Sequence, residues 1–416
     1  MTKQNLLPLS TFMPVISRLI LILVILCAMC NSARGQAPLK QIKAALKANK
    51  ATEAFKLVEQ YRKDTLFHDK AQLLIYGFEA AVKLNDVENE RFYLKQKTDT
   101  TAFFFTLYNV FDYALLADSI TALPDYSERK HKRLRKKLVQ QLNILYPNLN
   151  AATQFFMRKR RWEEAAKFSR MAIEAGRSPM FSEQTANLPA HLLPQYAERY
   201  MFSNFALKKY SEVDRYAETA LKDSNQRETI YEAMAQTYQE LNKQTEYAAY
   251  LQKGISEYPR NMFFFTRLAD LLIAQKQTDR LLRVIDTLLN ADAQNAKLYE
   301  YQAKVHLLEG RDSLCILSAK KMQQYDTTRT YADYYIGKSY FNLAQKVEIP
   351  QSINATGYKA AYEKKQHLYR KARPYIEFYR KNYPEDQHVW SPILYEIYWK
   401  LNLGKEFEEI LKYTQK

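Results

Sequence analysis

Six histidines (68, 131, 191, 306, 367 and 388) and three cysteines (27, 30 and 315) are the side chains best able to hold a metal or act as nucleophile and base. Their spacing does not assemble such chemistry. A zinc helix needs two histidines four residues apart around a glutamate, and no H-E-x-x-H occurs. A catalytic cysteine needs a neighbouring base, and nothing in the spacing supplies one to Cys315. Glu163-Glu164 and Glu408-Glu409 are adjacent acids, but neighbours i and i+1 on a helix do not face one another and cannot share a proton. There is no G-x-S-x-G, phosphate loop or dinucleotide fingerprint. The chain is therefore expected to be no enzyme, with no catalytic, cofactor-binding or metal site.

Charge is the second kind of chemistry present. The formal net charge is +17, which favours anionic neighbours. Arg129-Lys-His-Lys-Arg-Leu-Arg-Lys-Lys137 concentrates seven bases in nine residues, with Lys132, Arg133, Arg135 and Lys136 at its centre. This run reads either as a solvated helix face or as an anionic-surface patch for acidic protein, glycan or lipid. Nucleic acid is disfavoured by the leader.

That leader places Lys3 and Arg18 before the apolar run Leu19–Cys30, followed by small and polar residues up to Ala37. Twelve apolar residues fall short of the ~20 that span a bilayer but match a secretory h-region. Ala33-x-Gly35 suits a signal peptidase, making 1–35 a signal peptide and Gln36 the first mature residue. An uncleaved anchor, or lipidation at Cys27 or Cys30, are the alternative readings. Cleavage would remove Lys3, Arg18 and Arg34, so +17 less three leaves +14, and Cys315 would be the sole thiol. The protein is expected in the periplasm or at the envelope.

The elements that must position any binding residues are helices. Eight glycines and thirteen prolines in 416 residues are too few for the turns of a sheet protein. A 34-residue period sets starts at 194, 228, 262, 296 and 330. Position 8 then reads Met201, Ala235, Ala269, Ala303 and Gly337, and position 11 reads Asn204, Tyr238, Leu272, His306 and Tyr340. Positions 4, 7, 8 and 11 share one helical face, so a small residue at 8 lets a partner helix approach while larger neighbours fill around it. Cys315 falls in a small-residue slot at position 20 and His306 in a position-11 slot, which reads both as packed side chains. A single hairpin cannot bury its apolar face, so repeats must stack. Thirty-two tyrosines suit such thin assemblies, because the ring buries while the hydroxyl stays wet.

These columns, with Pro259 at position 32, resemble the tetratricopeptide repeat family, most strongly from Glu228 to about Tyr340. Met201, Asp333, Gly254 and Cys315 depart from its pattern. Tyr334-Tyr-Ile-Gly, Trp390-Ser-Pro-Ile-Leu-Tyr-Glu-Ile-Tyr-Trp and Gly404-Lys-Glu-Phe-Glu-Glu-Ile are similar to exported repeat proteins of Bacteroidetes. The resemblance implies an all-α, right-handed superhelical solenoid of antiparallel helix pairs. Degenerate repeats are expected over 36–145 and TPR-like repeats over 146–345, with starts at 146, 194, 228, 262, 296 and 330. An insertion follows at 346–366, then C-terminal helices and a cap at 367–416.

In that family, positions 2, 5, 9 and 12 of each first helix line a peptide-binding groove. Carried over, they give Phe202, Phe205, Phe263, Lys304, Tyr331, Tyr334, Lys338 and Phe341 as candidate peptide contacts. Aromatic anchors beside lysines would suit a protein or peptide with an acidic group. The same aromatics could instead pack against neighbouring helices or the 346–366 insertion. The expected function is an exported, non-enzymatic scaffold for protein or peptide binding. The alternative is an envelope accessory protein that contacts glycan or anionic lipid.

Overall fold

A computed structural model describes residues 37–414 except 65, 66, 68, 95, 97, 98, 183–191 and 327–330. The expected signal peptide at 1–35 lies outside the described residues, as do His68, His191 and the repeat start at Thr330. Among the described residues the regular structure is helical, without strands. The chain forms two compact units, one up to Lys243 and one spanning Gln244–Lys416.

The first unit contains α1 (37–47), α2 (Ala51–Arg62), α3 (Lys70–Tyr93), α4 (Thr100–Thr121) and α5 (Glu128–Arg158). It continues with α6 (Trp162–Gly176), the single turn α7 (Pro179–Ser182) and α8 (Leu193–Ala206). The second helix of the next pair is broken into α9 (Tyr210–Val213), a 3₁₀ turn and α10 (Ala217–Ala220), before α11 (Arg227–Glu240). α5 runs unbroken through residue 145 and carries Pro147 internally, so the repeat starting at 146 uses the second half of one 31-residue helix.

The second unit contains α12 (Gln244–Glu257), α13 (Met262–Ala274), α14 (Thr278–Ala291), α15 (Ala296–Leu308) and α16 (Asp312–Tyr325). It ends with α17 (Ala332–Gln345), α18 (Tyr358–Asn382), α19 (Gln387–Lys400) and α20 (Gly404–Thr414). Antiparallel helix pairs pack successively, the arrangement that the tetratricopeptide resemblance implies.

The period is visible in atoms. Met201, Ala235, Ala269 and Ala303, at position 8, are fully buried. So are Val213, Leu281 and Cys315 at position 20. Two glycines, the off-pattern Gly254 and the position-8 Gly337, have physical reasons. A Cβ on Gly254 would sit 2.3 Å from the Phe264 ring, and one on Gly337 would sit 2.6 Å from Ile376. Each glycine admits a large side chain from the next helix.

Turns repeat as strictly as cores. Asn49, Arg160, Lys208, Asn242, Lys276, Gly310 and Asn402 all have positive φ, each two residues before a second helix. The following amide closes back on the helix end, as in Lys209 N to Asn204 O at 2.9 Å, Gln277 N to Leu272 O at 2.8 Å and Arg311 N to His306 O at 2.8 Å. These are Schellman closures, which satisfy carbonyls that a helix end leaves unpaired. Only one of the seven is glycine. At the other end, Asn261 and Asn295, 34 residues apart, accept hydrogen bonds from Phe263 N and Lys297 N and cap α13 and α15.

Candidate functional site

In the second unit the first-helix face is built by α13, α15 and α17. Asp270 and Lys304 occupy position 9 of consecutive repeats, and their side chains meet at 3.4 Å. Tyr301 adds a hydrogen bond to the same Asp270 oxygen at 3.2 Å, and Lys304 also lies over the Tyr301 ring at 5.2 Å. Phe263 is half-buried, with the Arg267 guanidinium 3.7 Å from its ring centroid. This face therefore presents an aromatic–cation pair on α13 and a carboxylate–lysine–tyrosine cluster between α13 and α15.

The candidate contacts on α17 and at Tyr331 just before it divide. Tyr331 is exposed and stacks on Tyr383 at 5.0 Å. Tyr334 is half-buried against Tyr379 at 5.2 Å. Lys338 lies 4.9 Å over the Phe341 ring; burial lowers its pKa from the ordinary lysine value, against the opposing pull of Asp312 and Glu396. Phe341 is a correction. It is 8 % exposed and sits in the core with Tyr369, Ala372 and Ile376, because α18 covers that face of α17. Its ring is not available to a partner. In the first unit Phe202 is half-buried, and Phe205 meets Tyr210 edge-on at 5.8 Å.

The basic run also divides. On α5, residues 131, 135, 138 and 142 fall on one face, and the helix turns that face inward. Arg135 grips the buried Asp118 through two bonds, at 2.8 and 3.0 Å. His131 is buried beside it, with Nδ1 2.9 Å from Thr121 Oγ1. Arg135 is thus a core ion-pair partner, not part of an anionic-surface patch. The spacing signal was present, but the needed acid lies 17 residues away on α4. Lys132 pairs with Glu128 at 2.7 Å on the exposed side, where Arg133 and Lys136 also sit.

No group of three or more His, Cys, Asp or Glu side chains able to hold a metal occurs among the described residues. Cys315 is buried, and burial pushes its thiol up to about 11, which suppresses the nucleophilic thiolate. His306 is buried in its position-11 slot and its pKa is lowered by burial and by Arg311. Many tyrosines bury the ring and donate to a carboxylate: Tyr113 to Glu59, Tyr200 to Glu212, Tyr379 to Asp386, and Tyr398 to Glu377.

One cleft had no counterpart in the sequence reading. Ile255, Pro259, Leu268, Val284, Leu288 and Ala291 line an apolar depression of about 400 Å³ between α12, α13 and α14. Its walls come from residues up to 36 positions apart that read singly as ordinary repeat positions.

No family model matches the chain, and no curated protein matches it. Solved structures give loose likenesses. The TPR domain of P58(IPK) aligns over 92% of this chain and 99% of its own at 11% identity, with a TM-score of 0.26. Yeast Tom70 aligns over 92% and 95% at 10% identity, TM-score 0.25. Human IFIT1, solved as a dimer with m7Gppp-AAAA, aligns over 90% and 87% at 11% identity, TM-score 0.25. At such scores the fold assignment rests on the helix pairs themselves.

Proposed function

We propose that this chain is an exported, non-enzymatic helical-repeat scaffold that binds a protein or peptide on the first-helix face of its second unit. The observation that carries the reading is the position-9 contact between Asp270 and Lys304, which brings side chains of successive repeats into one continuous face. Repeat stacking makes such faces without any loop or pocket, and their chemistry is set by a few periodic positions. Here those positions offer Phe263 with Arg267, then Lys304, then Tyr331. A partner segment with an apolar anchor and a carboxylate fits them. Asp270 holds Lys304 in place, and a ligand carboxylate would share that ammonium.

The test is affinity capture from native envelope, followed by binding measurements on the captured partner with purified protein. Phe263→Glu with Lys304→Glu should weaken binding at least tenfold, while Arg133→Gln with Lys136→Gln leaves it unchanged. A partner that binds both double variants equally well removes this face from the function. Export is tested separately by fractionation: a cytoplasmic, uncleaved chain would overturn it.

A further inference from the structure

One edge of the second unit gathers exposed apolar side chains that its core does not use. Lys346 Nζ donates to Gly310 O at 2.7 Å, which sets the α15–α16 turn beside the end of α17. Lys365 Nζ reaches Val347 O at 3.4 Å, and Gln366 Nε2 donates to Lys400 O at 2.8 Å. The ends of α15, α17 and α19 therefore lie together, level with residues 365–366 of α18. The residues of α18 before that point, Tyr358 to Lys364, run on past them for about 10 Å at 1.5 Å per residue.

The buried stripe of α18, formed by Tyr369, Ala372, Ile376 and Tyr379, continues at helical spacing into Tyr362 and Tyr358. Those two rings stack in parallel at 6.2 Å, and Tyr362 is 46 % exposed. The neighbouring segments add further exposed apolar side chains: Ile353 at 73 % in the 346–357 connection, Leu308 at 61 % at the end of α15 and Trp399 at 58 % near the end of α19. Trp and Tyr favour the bilayer–water boundary, where their rings settle at headgroup level, and Ile and Leu favour the apolar layer beneath it.

The charge around these side chains is positive. From Lys346 to Lys371 the sequence carries six Lys or Arg and two Glu. Lys359, Lys364 and Lys400 lie on these segments, and the Lys400 ammonium sits 4.0 Å over the Trp399 ring. Of the acids, Asp312 is held by Lys346, Glu309 by Arg311 and Glu396 by Gln345 and Tyr369, while Glu348 and Glu363 are exposed. We infer that this edge docks onto an anionic lipid bilayer, with Ile353, Tyr362 and Trp399 entering the headgroup layer while the lysines pair with lipid phosphates. An amphipathic helix end with basic flanks binds in this way, by combining apolar burial with attraction to surface charge. The inference does not depend on the first-helix face.

The experiment is vesicle flotation with the full chain, on equimolar phosphatidylcholine and phosphatidylglycerol against phosphatidylcholine alone. Binding is expected only to the anionic vesicles, with Trp399 emission quenched by brominated phosphatidylglycerol and the quenching lost in Trp399→Phe. Lys359→Glu with Lys364→Glu should weaken binding by at least about thirty-fold. Ile353→Asp with Trp399→Ser should weaken it at least tenfold. These side chains are exposed, so unchanged circular dichroism is expected and is checked alongside. Any membrane affinity of the apolar leader is common to all variants. Binding that leaves Trp399 unquenched, or that the double variants share with the parent, overturns the inference. So does equal binding to neutral vesicles. A parent that oligomerises without vesicles and becomes monomeric on Ile353→Asp makes the edge an interface between copies, which also overturns it.

Discussion

The α15–α16 hairpin and the α17–α18 pair begin with the same sequence pattern and end differently. In the first, three residues around left-handed Gly310 join the helices. In the second, residues 346–357 intervene, and α18 starts after Gly357, whose φ is +89°. Packing survives the interruption. Gly337 receives Ile376 nearly as closely as Gly254 receives Phe264. The difference teaches that core register and turn are specified separately: a displaced second helix can recover its seat when the apolar spacing is repeated later in the chain. Position 17 shows the adjustment. Asp312 begins α16, whereas the equivalent Lys346 begins the interruption and turns back to bond Asp312 at 2.5 Å.

The comparison breaks most visibly in the cores. Ile285 and Ile376 are both fully buried, and each change to alanine should cost about 3 kcal/mol in urea unfolding of the second unit. A cost well below 1 kcal/mol at Ile376 alone would mean that the displaced helix is not seated as a regular one. Next comes the joint between the two pairs. Lys346→Met leaves the Asp312 carboxylate, whose side chain is fully buried, with Asn342 at 2.9 Å, and should cost about 2 kcal/mol. Asn342→Leu in the same background should cost further; additivity of the two would deny that they serve one acid.

Turn chemistry sharpens the contrast at smaller scale. Gly310→Ala should destabilise by about 1 kcal/mol because alanine resists φ +68°, and Lys276→Gly should stabilise by a similar amount. Thermal melts that move both the same way would contradict the left-handed turn. The smallest effect is acid sensitivity at His306. Burial and Arg311 lower its pKa, against Glu309 and Asp286, so the folded state holds it neutral. The unfolded chain binds a proton as pH falls below about 6.5, so stability is complete above that value and declines below it until the folded histidine also protonates. His306→Leu, which copies Leu272 at position 11, should flatten this part of the stability–pH curve. An unchanged slope between pH 7 and 5 would place the sensitivity elsewhere.

What the sequence made legible was local and periodic. Small position-8 residues and the apolar rows around them needed only helical spacing, and they marked the fold without any partner being known. What it hid was long-range. Arg135 carries the same charge as its neighbours, and only Asp118 on another helix makes it a core residue. Phe341 looked like a groove position because the helix that covers it arrives after the insertion. The apolar edge at Ile353 and Trp399 was invisible for the same reason: 46 residues separate them, and the link is the Gln366–Lys400 hydrogen bond. The aromatic–lysine face was legible as a set of positions, while the Asp270 partner that orders Lys304 came only from stacking.

The left-handed corners carry one more consequence. Arg160, Lys208 and Lys276 hold long side chains where glycine would be easier, each giving up about 1 kcal/mol. Because they close different hairpins, these losses are independent and their recovery should be additive. The molecule thus keeps an untapped thermostability reserve outside its cores, open to engineering one corner at a time.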